Sequence, residues 1–422
     1  MPQRRDEPSG IIIKEAGKPW KEADGDVCEA IDFCDYYARL APGMASPEKL
    51  GEFIGEDNRV WYEPRGVAVV ISPWNFPLAI CAGMTAAALV TGNTAVVKPA
   101  EQTPGIAKVM AEIFWQAGIP KDVLHFLPAP GETVCAALVR DPRIALIAFT
   151  GSKAVGLDII QAAGVTPETQ PHVKQVICEM GGKNAVIIDS SADLDEAVLG
   201  VRYSAFGFSG QKCSACSRVI ILDDVYDEFV RRFVESTKSL SVGDPIHPGT
   251  DVGTVIDQEA HDKIMSYVEI GSQEGKLELA MQGDVKDAWG KPVVGPHIVS
   301  GITQQDRLAC EEVFGPVVAL IRVKDFDEAL EVANATPYRL TGAIFTRTPS
   351  HLERARVEYR VGNLYLNRGC TGALVGRQPF GGGGMSGVGS KAGGDQYLYQ
   401  FVEPRCVTEN TMRRGFAPGL MS

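Results

Sequence analysis

The sequence predicts an α/β protein made of two successive α/β units, the first a doubly wound parallel sheet. Three observations carry this expectation. From Gly66 onward, short β-branched runs alternate with stretches of helical length, the signature of strand–helix–strand units feeding a parallel sheet. The chain's 422 residues exceed what one ordinary core encloses, so two domains are expected. Short motifs rich in Gly, Pro, Ser and Asn fall at the ends of the β-branched runs, where chains turn from strand to helix.

Taken in order, residues 25–41 show helical spacing, with Val27, Ile31, Phe33 and Cys34 forming an apolar face. Residues 53–63 mix polar and aromatic side chains and predict a hairpin or an edge strand. Strands are predicted at 67–71, 94–97, 123–127 and 144–149, with helices at 78–90, 104–117 and 132–139 between them. Dinucleotides bind such sheets at the carboxyl ends of the strands. The second unit places strands at 185–188, 218–222, 317–323, 343–345 and 364–366. Its helices are predicted at 194–206, 225–240, 326–335 and 352–359. Val225, Phe229, Val230, Phe233 and Val234 make a helical stripe that reads as core packing. The glycine run 381–384 suits a packed loop better than a linker, given Pro379, Phe380 and Met385 around it.

Composition narrows the function classes. Apolar content of 45% and charged content of 22% fit a soluble globular chain. A formal charge of −12 argues against binding a nucleic-acid backbone as the main task. Ten cysteines without regular spacing predict reduced thiols and a cytoplasmic setting, or a mitochondrial matrix in a eukaryote. No apolar run reaches membrane-spanning length, and residues 1–10 lack a signal-peptide core.

The chemistry concentrates in Gly210-Gln211-Lys212-Cys213-Ser214-Ala215-Cys216, read with Glu179-Met180-Gly181-Gly182-Lys183 upstream. A nucleophilic thiol needs help to ionise, and an adjacent Lys212 would supply positive charge. A thioester formed on Cys213 needs a base to activate water, a task for Glu179. Two other readings stand beside this one. A single cysteine is commonly a small core residue, and Cys213 with Cys216 forms a C-x-x-C. No second C-x-x-C occurs and all histidines lie remote in sequence, so no metal site is expected.

Other motifs extend the pattern: Ser72-Pro73-Trp74-Asn75-Phe76-Pro77, Lys98-Pro99-Ala100-Glu101, Phe149-Thr150-Gly151-Ser152-Lys153-Ala154-Val155-Gly156 and Glu311-Glu312-Val313-Phe314-Gly315-Pro316. In this order, with Glu179 and Cys213, they closely resemble the aldehyde dehydrogenase superfamily, from about Glu29 to Glu403. The resemblance implies a Rossmann-type NAD-binding domain over 1–179, carrying an oligomerisation hairpin near 51–63. It implies a catalytic domain over 180–380, then a return segment and C-terminal oligomerisation strand within 381–422. NAD is the implied cofactor: Gly151, Ser152 and Gly156 at a helix start for the pyrophosphate, Lys98 and Glu101 for the adenosine ribose, Ser72 nearby, Glu312 for the nicotinamide ribose and Phe314 beside it. A carboxylate at Glu101 repels a 2′-phosphate, which favours NAD over NADP. Asn75, with the Cys213 backbone N–H, would hold the oxyanion.

A finer resemblance, to the family branch acting on 1-pyrroline-5-carboxylate (glutamate γ-semialdehyde), rests on 210–218, Thr371-Gly372-Ala373-Leu374-Val375-Gly376 and Gln378-Pro379-Phe380-Gly381-Gly382. It implies that Lys212, Ser214 and the backbone N–H groups of Gly372 and Ala373 receive the substrate carboxylate. Phe76 and Phe380 would sandwich the aliphatic part, and Glu29 would face the ammonium. Some members carry serine where Ala373 stands, which removes one hydrogen bond to substrate here. Typical members also carry further N-terminal helices and strands before the point matching Ile11. A late start is expected to expose apolar surface or weaken NAD binding, or to mark a fragment. In some bacteria the same domain is fused to a flavin-dependent proline dehydrogenase, so such an enzyme is a candidate partner, alongside a homo-oligomer. Two alternatives remain at this point: a dehydrogenase for another carboxylate-bearing semialdehyde, or a catalytically silent NAD-binding or structural homologue.

Overall fold

The computed structural model describes residues 1–283 and 286–412. Val67–Ile71, β-branched except for one alanine, buries four of its five side chains at the middle of the first sheet. Thr94–Lys98 pairs with it in parallel on one side and Ile144–Thr150 on the other. Leu124–Phe126 extends the first flank and Gln175–Glu179 the second, both in parallel. The chain thus winds outward in two directions from one central strand. Between Val67–Ile71 and Ile144–Thr150 the winding reverses, which opens a crevice at the carboxyl ends. A sixth strand, Gly387–Val388, returns from near the chain's end to pair antiparallel with Gln175–Glu179.

The second sheet has seven strands. Cys216–Leu222 and Asn184–Ile188 lie side by side in parallel near its centre. Asn184–Ile188 and Thr341–Phe345 are buried along their whole length because helices cover both faces. Leu194–Phe206 and Asp223–Lys238 cover one face, where the predicted stripe places Phe229 and Phe233 in stacked contact at 5.6 Å. Gln258–Glu274, Phe326–Asn334 and Pro349–Glu358 are the remaining long helices of this half. Cys213 precedes Cys216–Leu222, so the amino end of a central strand in this sheet meets the carboxyl ends of the first.

Several expectations need correction. Glu179, in a segment given no strand by the sequence reading, is the last residue of strand Gln175–Glu179. Of the two readings of residues 53–63 the hairpin holds and the edge does not: Glu56–Pro64 turns back on Glu48–Lys49 and is the middle strand of a three-stranded antiparallel sheet, with Val402–Asn410 on its other side. Its longer partner lies far downstream, which local patterning cannot show. The helix predicted over 25–41 runs from Trp20 to Ala45 and passes through Pro42 before it ends. The helix expected at 132–139 opens as a wide π turn over Gly131–Cys135 before Ala136–Leu138. The part of the 381–422 segment beyond Met412 lies outside the described residues.

The joint between the two N-terminal helices, Asp6–Ala16 and Trp20–Ala45, positions the site. Gly17 is left-handed (φ 72) and packs directly on Thr254, a contact only a residue without Cβ permits. Next to it, Lys18 is fully buried, paired with Asp26 at 2.8 Å, with its ammonium 3.6 Å from the Phe76 ring centroid. The other Asp26 oxygen accepts the Ala79 N–H at 2.7 Å, which caps helix Ala79–Val90 in place of a local side chain. The C-terminal half of the 72–78 loop is thereby fixed. Among the described residues, no helix is long and apolar enough to cross a membrane.

Candidate active site

The crevice between the two units holds a cavity of about 1400 Å³. At one end, Lys98 closes the carboxyl end of its strand with only 4% of its surface exposed. Its ammonium meets Glu101 Oε1 at 2.9 Å, and the same carboxylate accepts the Gly131 N–H. Both charges line the cavity. Across it, helix Lys153–Gly164 begins behind Ser152, whose hydroxyl caps the Val155 N–H at 3.4 Å. Gly151 and Ser152 line the cavity; Gly156 does not. Gly156 instead lets this helix approach the sheet, since a Cβ there would fall 2.6 Å from Met180 Sδ. Val155, Ile159, Ala162 and Val139 supply an apolar slot beside this helix start.

This donor set fits a dinucleotide. A helix start attracts a pyrophosphate, an ion pair offers a donor and an acceptor to ribose hydroxyls, and the slot suits a flat base. Ser72 lines the wall nearer the middle. At the far end, Glu312 accepts the Gly182 N–H at 2.8 Å, and burial pushes its carboxyl up against that bond. Phe314 adopts φ 61 and meets Trp74 edge-on at 5.5 Å.

Cys213 and Asn75 open into the same cavity. The chain reaches Cys213 through three left-handed residues, Phe208 (φ 52), Ser209 (φ 55) and Gly210 (φ 68). Two of these are not glycine, and such conformations cost about 1–3 kcal/mol each. Side chains hold the turn in place. Ser209 donates to the Gly253 carbonyl at 3.0 Å, while Gln211 donates to the Thr254 carbonyl at 3.1 Å and accepts the Ile256 N–H at 2.9 Å. Asn184 Nδ2 donates to the Cys213 carbonyl at 2.7 Å and the Ala215 carbonyl at 2.9 Å. Asn75 Nδ2 donates to the Gln211 carbonyl at 3.1 Å. An amide NH₂ carries two donors, so the second remains for a ligand oxygen.

A profile of the aldehyde dehydrogenase family matches residues 1–407. The chain belongs to the aldehyde dehydrogenase family. A 1-pyrroline-5-carboxylate dehydrogenase from Geobacillus sp. (strain WCH70) is 51% identical over 407 residues, covering 96% of this chain and 78% of that one. Among solved structures, a 1-pyrroline-5-carboxylate dehydrogenase from Thermus with bound NAD superposes with a TM-score of 0.93 at 46% identity, covering 97% of this chain and 78% of that chain. Proline utilization A from Bdellovibrio bacteriovorus, inactivated by N-propargylglycine, gives a TM-score of 0.95 at 52% identity. That match covers 99% of this chain and 43% of the longer protein.

Within this aldehyde dehydrogenase, the electrostatics of the thiol differ from the expectation. Burial pushes the Cys213 thiol up to about 12, and Glu179, Glu312 and Glu29 push the same way; only the Ser214 N–H opposes them. Lys212 does not serve the thiol. Its ammonium is buried and paired with Glu22 at 2.8 Å, and sits 5.0 Å from the Tyr203 ring centroid. Sequence adjacency misled here because alternate residues of a turn point in different directions. Glu179 is itself pushed up to about 8 by burial, against the Gly382 N–H and Lys391. Its Oε2 accepts that N–H at 3.4 Å.

The residues expected on the substrate side lie outside the cavity wall. Phe76 lies against Lys18. Glu29, on helix Trp20–Ala45, is pushed up to about 8 by burial and then by Asp26. The buried Ser214 carbonyl accepts from Thr341 Oγ1 at 3.3 Å and Cys370 Sγ at 3.4 Å. Gly372 is left-handed (φ 77), and the Arg368 guanidinium draws the carbonyls of Thr371 (2.7 Å) and Gly372 (3.1 Å) toward itself. In a trans peptide the N–H points opposite the carbonyl, so the Gly372 and Ala373 N–H groups face away from Arg368. Phe380 bridges to Ala392 on the backbone and is half-buried. Sequence reading missed the roles of Asn184, Lys18 and Asp26. Asn184 follows a quoted motif; Lys18 and Asp26 gave no pattern at all.

Proposed function

We propose that this chain oxidises L-glutamate γ-semialdehyde, formed from 1-pyrroline-5-carboxylate, to L-glutamate with NAD, in proline breakdown. The observation that carries the reading is the opening of Cys213 and Asn75 into the same cavity as the Lys98–Glu101 pair and the helix start at Ser152. The names of the matched relatives support the substrate. Ten free cysteines support a reducing compartment such as the cytoplasm.

The chain's own residues would act as follows. Cys213 sulfur, as thiolate, bonds to the aldehyde carbon, and Asn75 donates its free N–H to the oxygen that gains charge. Such a donor is worth roughly 3–4 kcal/mol of barrier lowering. Bound NAD supplies the hydride acceptor. Once the carbon has given up its hydride, the acyl group remains on Cys213 as a thioester; Glu179 then takes a proton from water as the water oxygen bonds to the acyl carbon, and the C–S bond breaks, its electron pair returning to sulfur as the acid leaves. Gly372 and Ala373 N–H groups receive the substrate carboxylate, with Phe76 and Phe380 about its aliphatic chain, Ser214 beside it and Glu29 toward the ammonium.

The test is NADH production by the purified chain with pyrroline-5-carboxylate, beside Cys213→Ala and short neutral aldehydes. Turnover of the first substrate, abolished in the variant and weak with neutral aldehydes, is the expected result. NAD binding without turnover would replace this reading with a silent homologue, and preference for another acidic semialdehyde would replace the substrate.

A further inference from the structure

This inference rests on the reading of Glu179 as the base that activates water, and it concerns what keeps that base usable. Gly381 stands between Glu179 and Lys391: a Cβ built there would lie 2.8 Å from Glu179 Oε1 and 3.2 Å from Lys391 Cγ. The two side chains therefore flank one glycine. The Lys391 ammonium is anchored by the Gly362 carbonyl and by Asn363 Oδ1 at 3.3 Å. Titratable groups bear on Glu179 from each element packed around it. Cys178 is on its own strand, Cys213 in the catalytic turn and Tyr397 in the turn helix Asp395–Phe401. Among the groups that act on Glu179, Lys391 is the cation.

We propose that Lys391 is a positioning residue for Glu179, its fixed ammonium favouring, against burial, the anionic carboxylate that accepts a proton from water. Burial alone favours the neutral acid, and the neutral acid cannot act as a base. In the hydrolytic step the water oxygen bonds to the thioester carbon and the water proton passes to Glu179. The C–S bond then breaks, its electron pair returning to the Cys213 sulfur. Lys391 keeps its proton throughout. It also forms part of the wall of a second cavity of about 550 Å³, with Gly362, Gly381 and Gly382, so a larger cationic head fits in its place.

An activated ester, 4-nitrophenyl acetate, isolates this step because it acylates a thiol directly and needs no NAD. The measurement is the pH–rate profile for hydrolysis of acetyl-Cys213 in the full chain, beside Lys391→Met, Lys391→Arg and Asn363→Asp. Losing the cation raises the Glu179 pKa. The Met variant is therefore expected to move the acid limb up by about one pH unit, a loss of about tenfold near pH 7 that is recovered in alkali. The Arg variant keeps the original limb. Asn363→Asp sets a carboxylate against the ammonium and shifts the limb the same way, which preserves the test should the Met variant not fold. Unmoved profiles, or a loss equal at every pH, would overturn the proposal. If 4-nitrophenyl acetate acylates native protein and Cys213→Ala alike, the underlying reading of the thiol fails instead.

Discussion

The two ends of the cavity are built on opposite electrostatic plans. At the nucleotide end, Lys98 and Glu101 neutralise each other at 2.9 Å, and a helix start adds a partial positive charge. Ligand groups can enter there without stranding a charge. At the thiol end, burial and the carboxylates Glu179, Glu312 and Glu29 all favour the protonated thiol. The cation next in sequence is spent elsewhere, on Glu22. One end is thus preformed for binding, while at the other the surroundings favour the protonated thiol. Binding and reactivity can be tuned separately in such an arrangement.

The sharpest way to break this contrast is Lys212→Met. If Lys212 serves only the Glu22 pair, its loss strands a buried carboxylate and lowers stability by about 3–5 kcal/mol, seen as a lower urea midpoint. The pH dependence of Cys213 alkylation would not move. A changed alkylation profile would restore Lys212 to the thiol.

Asn75→Ala comes next, with kcat expected to fall about 10²–10³-fold and NAD affinity unchanged by calorimetry. A matching loss of NAD affinity would mean that the two ends are not separable. Glu101→Gln acts at the other end. It is expected to weaken NAD about tenfold, near 1.4 kcal/mol, and to narrow the preference over NADP because a 2′-phosphate no longer meets a carboxylate.

The smallest effect is kinetic. Without NAD, carbamidomethylation of Cys213 by iodoacetamide is expected to climb steadily with pH, because a thiol pushed up to about 12 gains thiolate all the way. A plateau below about pH 8 would show that a cation reaches the sulfur.

Much of the frame was legible in sequence because both sheets are parallel and buried. Strands such as Val67–Ile71 and Val317–Val323 read as runs rich in β-branched residues, and their observed bounds match the reading. Gln258–Glu274 and His297–Ser300 went unread. The first carries only a short stripe, Ile264, Val268 and Gly271, amid polar residues, and the second is too short to stand out among glycines and prolines. At the site, motifs at strand ends located the cavity wall because open α/β sheets place ligands there. The direction of each side chain was not legible. Lys212 turns to Glu22 through a contact 190 residues away in sequence, and Asn75 reaches the Gln211 carbonyl across 136. Such pairings are decided by tertiary packing, which no local spacing encodes.

Strand Gly387–Val388 and the glycines before it close around Glu179. A ribosome therefore delivers the thiol long before it delivers the walls of the base. A nascent chain with Cys213 already exposed has no finished means of releasing an acyl group. Any stray acylation at that stage would wait for that strand to dock. The order of synthesis thus makes turnover, though not reactivity, a property of the completed protein.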